Sequence, residues 1–133
     1  MEIWARAFIY MIAGVAGEVV FTAIERFIQK HDKHLEGHTQ LWVMPLYALV
    51  GVFVFEKIHY YLMDYNIFLR FCAYAFVALF CEFVAGFFDK QLTGIIPWEY
   101  KGRFSVLGYI KLTYFPFWGI MGLYFELIHN LIR

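Results

Sequence analysis

Hydrophobic residues occur along the chain in four long runs, separated by shorter polar segments. The runs cover about residues 7–28, 42–62, 67–89 and 109–131, and none alternates with the period of a half-buried strand. About 20 apolar residues in a helix cross the ~30 Å hydrocarbon core of a bilayer. Because lipid cannot hydrogen-bond to an open backbone, each run is predicted to be a transmembrane helix. We therefore expect an all-α, polytopic, multi-pass integral membrane protein with a single domain over residues 1–133.

Proline and tryptophan positions refine the ends of these predicted helices. Pro45 falls in the first turn of the second run, where a helix tolerates proline. Pro116 falls deeper in the fourth run, and we expect a kink there. Trp42 and Trp98 stand at or just outside the ends of runs, as tryptophans that anchor a helix in the membrane interface do.

The composition supports a membrane protein and excludes several other classes. Hydrophobic residues make up 62% of the chain and charged residues 17%, against about 25% charged in soluble domains. Eleven Lys and Arg balance eleven Asp and Glu, so there is no basic field for nucleic acid. The phosphate-binding motif GxxxxGKS or GxxxxGKT is absent from the sequence, so we expect no ATP site in this chain, and ATP binding could come only from a partner.

The first two runs resemble the last two, and the matching polar positions carry the resemblance. The second and fourth runs each have a proline near the start, at a shift of 71 residues, and a Glu-x-x-His motif near the end, at a shift of 70. The pattern predicts a bundle of two-plus-two helices with a pseudo-two-fold axis along the membrane normal. The first and third runs match at a shift of 64, where Gly14, Glu18, Thr22 and Glu25 correspond to Ala78, Glu82, Gly86 and Asp89.

Two glutamates lie inside predicted spans without a basic residue beside them. Glu18 is near the middle of the first run, with Thr22 on the same face, and Glu82 is about two turns from the end of the third. A carboxylate at the bilayer centre costs about 2.5–3.5 kcal/mol on insertion scales, so a lone ionised glutamate is untenable there. Either both are protonated and donate hydrogen bonds between helices, or they face a wet cavity, or they bind a cation or proton.

The motifs Glu56-x-x-His59 and Glu126-x-x-His129 each place a carboxylate and an imidazole on one helix face. Together with the two glutamates above, they match the ligand inventory of a di-iron carboxylate bundle, so a metal ion is one candidate cofactor. At 1.5 Å per residue the two layers of glutamates would lie about 5–15 Å apart, which argues against shared ligation. The alternative is a pair of side chains at each helix end that reaches the membrane interface.

Aromatic and basic residues alternate in the loop before the fourth run. Trp98, Tyr100, Lys101 and Arg103 combine rings that suit the membrane interface with cations that meet lipid phosphate. The segment is predicted either to contact headgroups or a substrate, or to be a plain interfacial re-entry segment.

Several of these segments together resemble the transmembrane protein 229 family and its bacterial relatives, the CmpB-like ABC-transporter type IV membrane proteins. The most specific is the Pro-Trp-acid-Tyr motif at residues 97–100, where the family usually has Asp and this chain has Glu99. The resemblance covers nearly the whole chain and implies a permease-like membrane component with no defined cargo. It is carried by residues 17–23 (GEVVFTA), 82–86 (EFVAG), 97–100 (PWEY) and 116–118 (PFW), and by Trp42, Tyr47, Glu56 and Gly108.

The leading hypothesis is a small transporter or permease-like component in which Glu18 and Glu82 form a cation- or proton-sensitive centre. Tyr47 and Trp118 would line or pack the path, with Thr22 beside Glu18. One alternative is an intramembrane enzyme that acts on lipid or isoprenoid substrates through an acid or metal centre. Another is a non-catalytic assembly subunit of a membrane complex. Four short helices enclose little volume, so we expect a homo-oligomer or a larger membrane complex.

Overall fold

The computed structural model describes residues 1–132, and this part of the chain is mostly helical. Two short strands, β1 (Ser105–Val106) and β2 (Ile110–Lys111), pair antiparallel between the third and fourth helices, with Ser105 opposite Lys111. A single 3₁₀ turn, Leu112–Tyr114, leads from the hairpin into the last helix. The four helices are α1 (Ile3–Lys30), α2 (Val43–Leu62), α3 (Ile67–Thr93) and α4 (Phe115–Ile132).

Three of these helices are long and apolar enough to cross a membrane, namely α1, α2 and α3. The chain is mostly helical with four helices, as predicted, and α1 and α3 extend beyond the predicted runs. The predicted start of the fourth run at residue 109 is wrong, because the residues before Phe115 form the hairpin and the 3₁₀ turn. Gly108, with φ 79°, supplies the left-handed turn residue between the two strands.

The ends of α3 follow from local side-chain and backbone chemistry. The Asn66 side chain accepts a hydrogen bond from the Leu69 backbone N–H at 2.9 Å, which caps the helix after the short turn at residues 63–66. At the other end Gly94 adopts φ 82°, and its N–H donates to the Lys90 carbonyl at 2.8 Å. Glycine suits this left-handed position because it has no Cβ.

Both helical prolines lie in first turns. Pro45 is the third residue of α2, as predicted, whereas Pro116 is the second residue of α4. The predicted kink at Pro116 is therefore wrong, because a proline there displaces no intrahelical hydrogen bond. The irregularity of α2 lies instead at Gly51–Phe55, which forms a π-helical turn that the sequence did not indicate.

The helices pack mainly as two antiparallel pairs, α1 with α2 and α3 with α4, and α1 also contacts α4. The core between them is largely aromatic and includes Tyr10, Tyr47, Phe55, Tyr74 and Phe125. Glycines allow the closest approaches, since a Cβ on Gly51 would overlap the Tyr10 ring and one on Gly122 would overlap Tyr74.

The two longer connections lie over the same end of the bundle and are tied to it and to each other. The Thr22 hydroxyl of α1 accepts a hydrogen bond from the His38 backbone N–H at 2.8 Å. Gln40 Nε2 donates to the carbonyl of Pro97 in the α3–α4 connection. These contacts fix the connections above the interior of the bundle, where the candidate site lies.

The close contact at Gly122 gives a test of the packing. Gly122→Ala should lower the free energy of unfolding by about 1–2 kcal/mol, because the cost of overpacking against Tyr74 exceeds the ~1 kcal/mol that alanine gains in a helix. The measurement is the unfolding midpoint of the purified protein in detergent. Ile120→Val, on the exposed side of α4, is the matched control and should leave the midpoint within error. Equal midpoints for wild type and Gly122→Ala would contradict this packing.

Candidate functional site

A cavity of about 380 Å³ lies between the helices beneath the two longer connections. Its wall includes four residues predicted as binding candidates from the sequence: Glu18 and Thr22 of α1, Tyr47 of α2 and Glu82 of α3. The fifth candidate, Trp118 of α4, lines it as well. Among the described residues that form the wall, none is lysine or arginine. The cavity is therefore an acidic space lined by all four helices.

Glu18 has a defined partner in this cavity. The Tyr47 hydroxyl donates a hydrogen bond to Glu18 Oε2 at 2.7 Å, across the contact between α1 and α2. The distance is the one most often found for hydrogen bonds between oxygen atoms. This contact therefore fixes the orientation of the Glu18 carboxylate in the cavity wall.

Glu82 is left with an unsatisfied oxygen. Its Oε1 atom is buried and has no hydrogen-bond partner among residues 1–132. The same holds for Trp118 Nε1 and Gln40 Oε1, which also belong to the cavity wall. Leaving a buried polar group unsatisfied costs about 1–3 kcal/mol, and more when it is charged. Three residues of the cavity wall therefore each have a buried polar atom without a partner among residues 1–132.

The residues predicted for headgroup contact separate into two groups. Trp98 and Tyr100 line the cavity, and Trp98 Nε1 donates to the Tyr109 carbonyl at 3.2 Å. Burial raises the pKa of the Tyr100 phenol, and the neighbouring Glu82 raises it further, so the hydroxyl stays protonated. Lys101 and Arg103 are exposed. Contact with headgroups thus remains a prediction for the two cations, while the two rings turn toward the interior.

A second set of polar side chains closes the opposite end of the bundle. Glu56 of α2 accepts a hydrogen bond from the Tyr10 hydroxyl at 2.9 Å and pairs with Arg6 Nε at 3.2 Å, both from α1. His129 Nδ1 of α4 lies 3.0 Å from the Tyr10 hydroxyl and 3.2 Å from Glu56 Oε2. We call these four residues the first end cluster.

The same arrangement occurs a second time with residues from the other helices. Glu126 of α4 accepts a hydrogen bond from the Tyr74 hydroxyl at 2.7 Å and pairs with Arg70 Nε at 3.1 Å, both from α3. His59 Nδ1 of α2 lies 3.0 Å from the Tyr74 hydroxyl. These four residues form the second end cluster, and the His59 and His129 rings meet with their centroids 5.0 Å apart.

The end clusters correct the interpretation of the Glu-x-x-His motifs. The motifs suggested that each glutamate works with the histidine of its own helix, but Glu56 pairs with His129 and Glu126 with His59. The glutamates do not reach outward to the interface, because only 15% of either side chain is exposed. Among the described residues, no group of three or more His, Cys, Asp or Glu side chains is close enough to hold a metal ion.

Sequence reasoning missed the arginines and tyrosines of the end clusters. Arg6 and Arg70, like Tyr10 and Tyr74, are separated by 64 residues, the same shift that relates Glu18 to Glu82. Extending the repeat toward the start of each run would have found both pairs. The partners of these arginines and tyrosines on α2 and α4 could not be predicted from the shift of 64 residues. That shift relates a position in α1 to one in α3 and does not indicate which helices are in contact.

The fold and site together define a class: a membrane protein of apolar helices that enclose an acidic cavity. Within that class, the chain belongs to the CmpB-like family described as "Putative ABC-transporter type IV", whose sequence profile matches residues 7–133. This confirms the resemblance found in the sequence. No solved structure matches the chain.

The second end cluster can be tested by a double-mutant cycle. Arg70→Met should lower the free energy of unfolding by about 1–3 kcal/mol, because it leaves the Glu126 carboxylate without its cation. In the double variant Arg70→Met/Glu126→Gln the loss should be smaller than the sum of the single losses, since a neutral amide in place of the carboxylate no longer needs a cation. Lys57→Met, an exposed position beside Glu56, is the control. Additive losses in the cycle would show that the pair is not coupled.

Proposed function

We propose that this protein is a permease-like component of a membrane transport system and that all four helices cross the bilayer. The outer surfaces of the helices support membrane insertion, since large apolar side chains there are widely exposed. Phe8 of α1, Phe76 and Phe80 of α3 and Ile120 of α4 are each at least 60% exposed. Exposed apolar area on this scale is unfavourable in water and is expected against lipid or another protein.

A single observation carries the functional proposal: Glu18 and Glu82 face one cavity that contains no lysine or arginine among its described wall residues. An acidic interior surrounded by lipid holds a negative charge only with help from a proton or a bound cation. Binding of a proton or a cation changes the charge of the cavity. A site whose charge depends on what it binds is suited to act as a transport centre. The membership in an ABC-transporter type family agrees with such a role.

The end clusters support the proposed internal repeat and suggest how it serves transport. Each cluster combines arginine, tyrosine and glutamate from one helix pair with a histidine from the other pair. The clusters therefore tie the two helix pairs together at the end away from the cavity. Under the proposal this end acts as the closed base of the bundle, and movement of cargo occurs around the cavity and its two covering connections.

Partner molecules are part of the proposal. ATP binding would have to come from another protein, and the apolar outer surfaces leave room for contact with a second copy of the chain or with a larger membrane complex. If so, native mass spectrometry of the protein in mild detergent should record a species larger than one chain. A homogeneous monomer over a range of protein concentrations, with its folding verified, would contradict the homo-oligomer, and a stable co-purified protein would indicate the larger complex.

The transport centre is tested by flux through liposomes. Purified wild-type protein should carry protons or small cations down a gradient, and Glu82→Gln should lower the flux at least tenfold, because amide for carboxylate removes the charge that attracts a cation. Glu18→Gln should also lower it, while Glu36→Gln, at an exposed position in the first longer connection, should not. If wild type and both cavity variants gave the same null flux for protons, common inorganic cations and small organic ammonium ions, the proposal would be wrong.

A further inference from the structure

The cavity wall combines two kinds of group that are seldom found together. Four of the described wall residues are glutamates and seven are aromatic, and His38 is the only other ionisable side chain apart from tyrosine and cysteine. The Tyr47 and Trp118 rings lie close to each other, with centroids 6.5 Å apart, near both buried carboxylates. Acid groups and aromatic faces both attract positive charge, the first through the full negative charge and the second through the ring quadrupole.

The geometry of the acids favours a cation that is larger than a metal ion. A divalent metal ion takes several oxygen or nitrogen ligands at about 2.0–2.6 Å, so its ligands must converge. The described His, Cys, Asp and Glu side chains do not converge in this way. Glu18 is already engaged with Tyr47, whereas Glu82 Oε1 has no hydrogen-bond partner among the described residues. A cation with an apolar surface can contact a carboxylate and an aromatic ring at once.

We propose that the cavity binds a small organic cation, a substituted ammonium ion, between the Glu82 carboxylate and the aromatic rings of Tyr47 and Trp118, which all line it. The inference deepens the proposed function by naming the chemical class of its cargo. The volume of about 380 Å³ is at the low end of the range in which small-molecule sites fall, which suits an ion of this kind. Apolar and aromatic side chains make up much of the wall, and a cation–π contact is stronger where water is partly excluded.

Binding is measured by calorimetry on the full-length protein in a maltoside detergent, which avoids choline headgroups. The probes are choline and its neutral isostere 3,3-dimethylbutan-1-ol, which has the same shape without the charge. We expect saturable binding of choline and at least tenfold weaker binding of the alcohol. Glu82→Gln and Trp118→Leu should each weaken choline binding at least tenfold, with Glu36→Gln unchanged.

Several outcomes would overturn the inference. Among them are no choline binding by wild type, equal binding of choline and the alcohol, and full choline affinity in Glu82→Gln. Competition by sodium, potassium or calcium at concentrations similar to choline would show a site for inorganic cations instead. The comparison of the two probes uses wild type alone, so it decides the matter even if a variant fails to fold. Calorimetry measures binding in detergent, and the liposome assay measures transport, so the two proposals can fail separately. Choline binding without flux of any tested cation would contradict the transport proposal only. Proton flux without choline binding would contradict this inference only.

Discussion

Hydrogen bonds from tyrosine hydroxyls to glutamate carboxylates on neighbouring helices hold this bundle in its arrangement. Tyr10 bonds Glu56 and Tyr74 bonds Glu126 at one end, and Tyr47 bonds Glu18 beside the cavity. Helices in lipid gain little from burying apolar surface against each other, so polar contacts of this kind select the packing. Each contact also satisfies a carboxylate that would otherwise be intolerable among apolar side chains. The same tyrosine–glutamate hydrogen bonds thus stabilise the packing of the helices and allow acidic side chains inside the bundle.

Glu82 does not follow this pattern, and the difference lies in one residue of α4. Trp118 stands in α4 where the repeat would place the counterpart of Tyr47, and its ring N–H does not reach Glu82 with hydrogen-bond geometry. The two cavity carboxylates are therefore unequal: the Tyr47 hydroxyl bonds Glu18 Oε2, whereas Glu82 Oε1 has no hydrogen-bond partner among residues 1–132. The two helix pairs therefore contribute differently to the cavity that they line.

Two kinds of feature could be read from the sequence: helices, which follow from hydrophobicity, and acidic residues within apolar runs that have no basic residue nearby. Long apolar runs predicted the helices. The absence of a nearby basic residue led to the hypothesis that Glu18 and Glu82 form one centre, and in the structure both line the same cavity. The partners of Glu56 and Glu126 could not be predicted, because i, i+3 spacing describes one helix and these contacts join different ones. The start of α4 at Phe115 could not be predicted either, because the strand Ile110–Lys111 belongs to the same apolar run as the helix.

The π-helical turn of α2 has a consequence for the comparison of the two halves. Glu56 lies eleven positions after Pro45 and Glu126 ten positions after Pro116, whereas Gly51 and Gly122 each lie six positions after their prolines. The extra residue thus falls within Gly51–Phe55, where the Glu56 N–H donates to the Gly51 carbonyl five positions back. A wider turn of this type lets a helix accommodate one inserted residue while its later turns keep their orientation. The halves can accordingly differ in length and still present Glu56 and Glu126 to equivalent tyrosines.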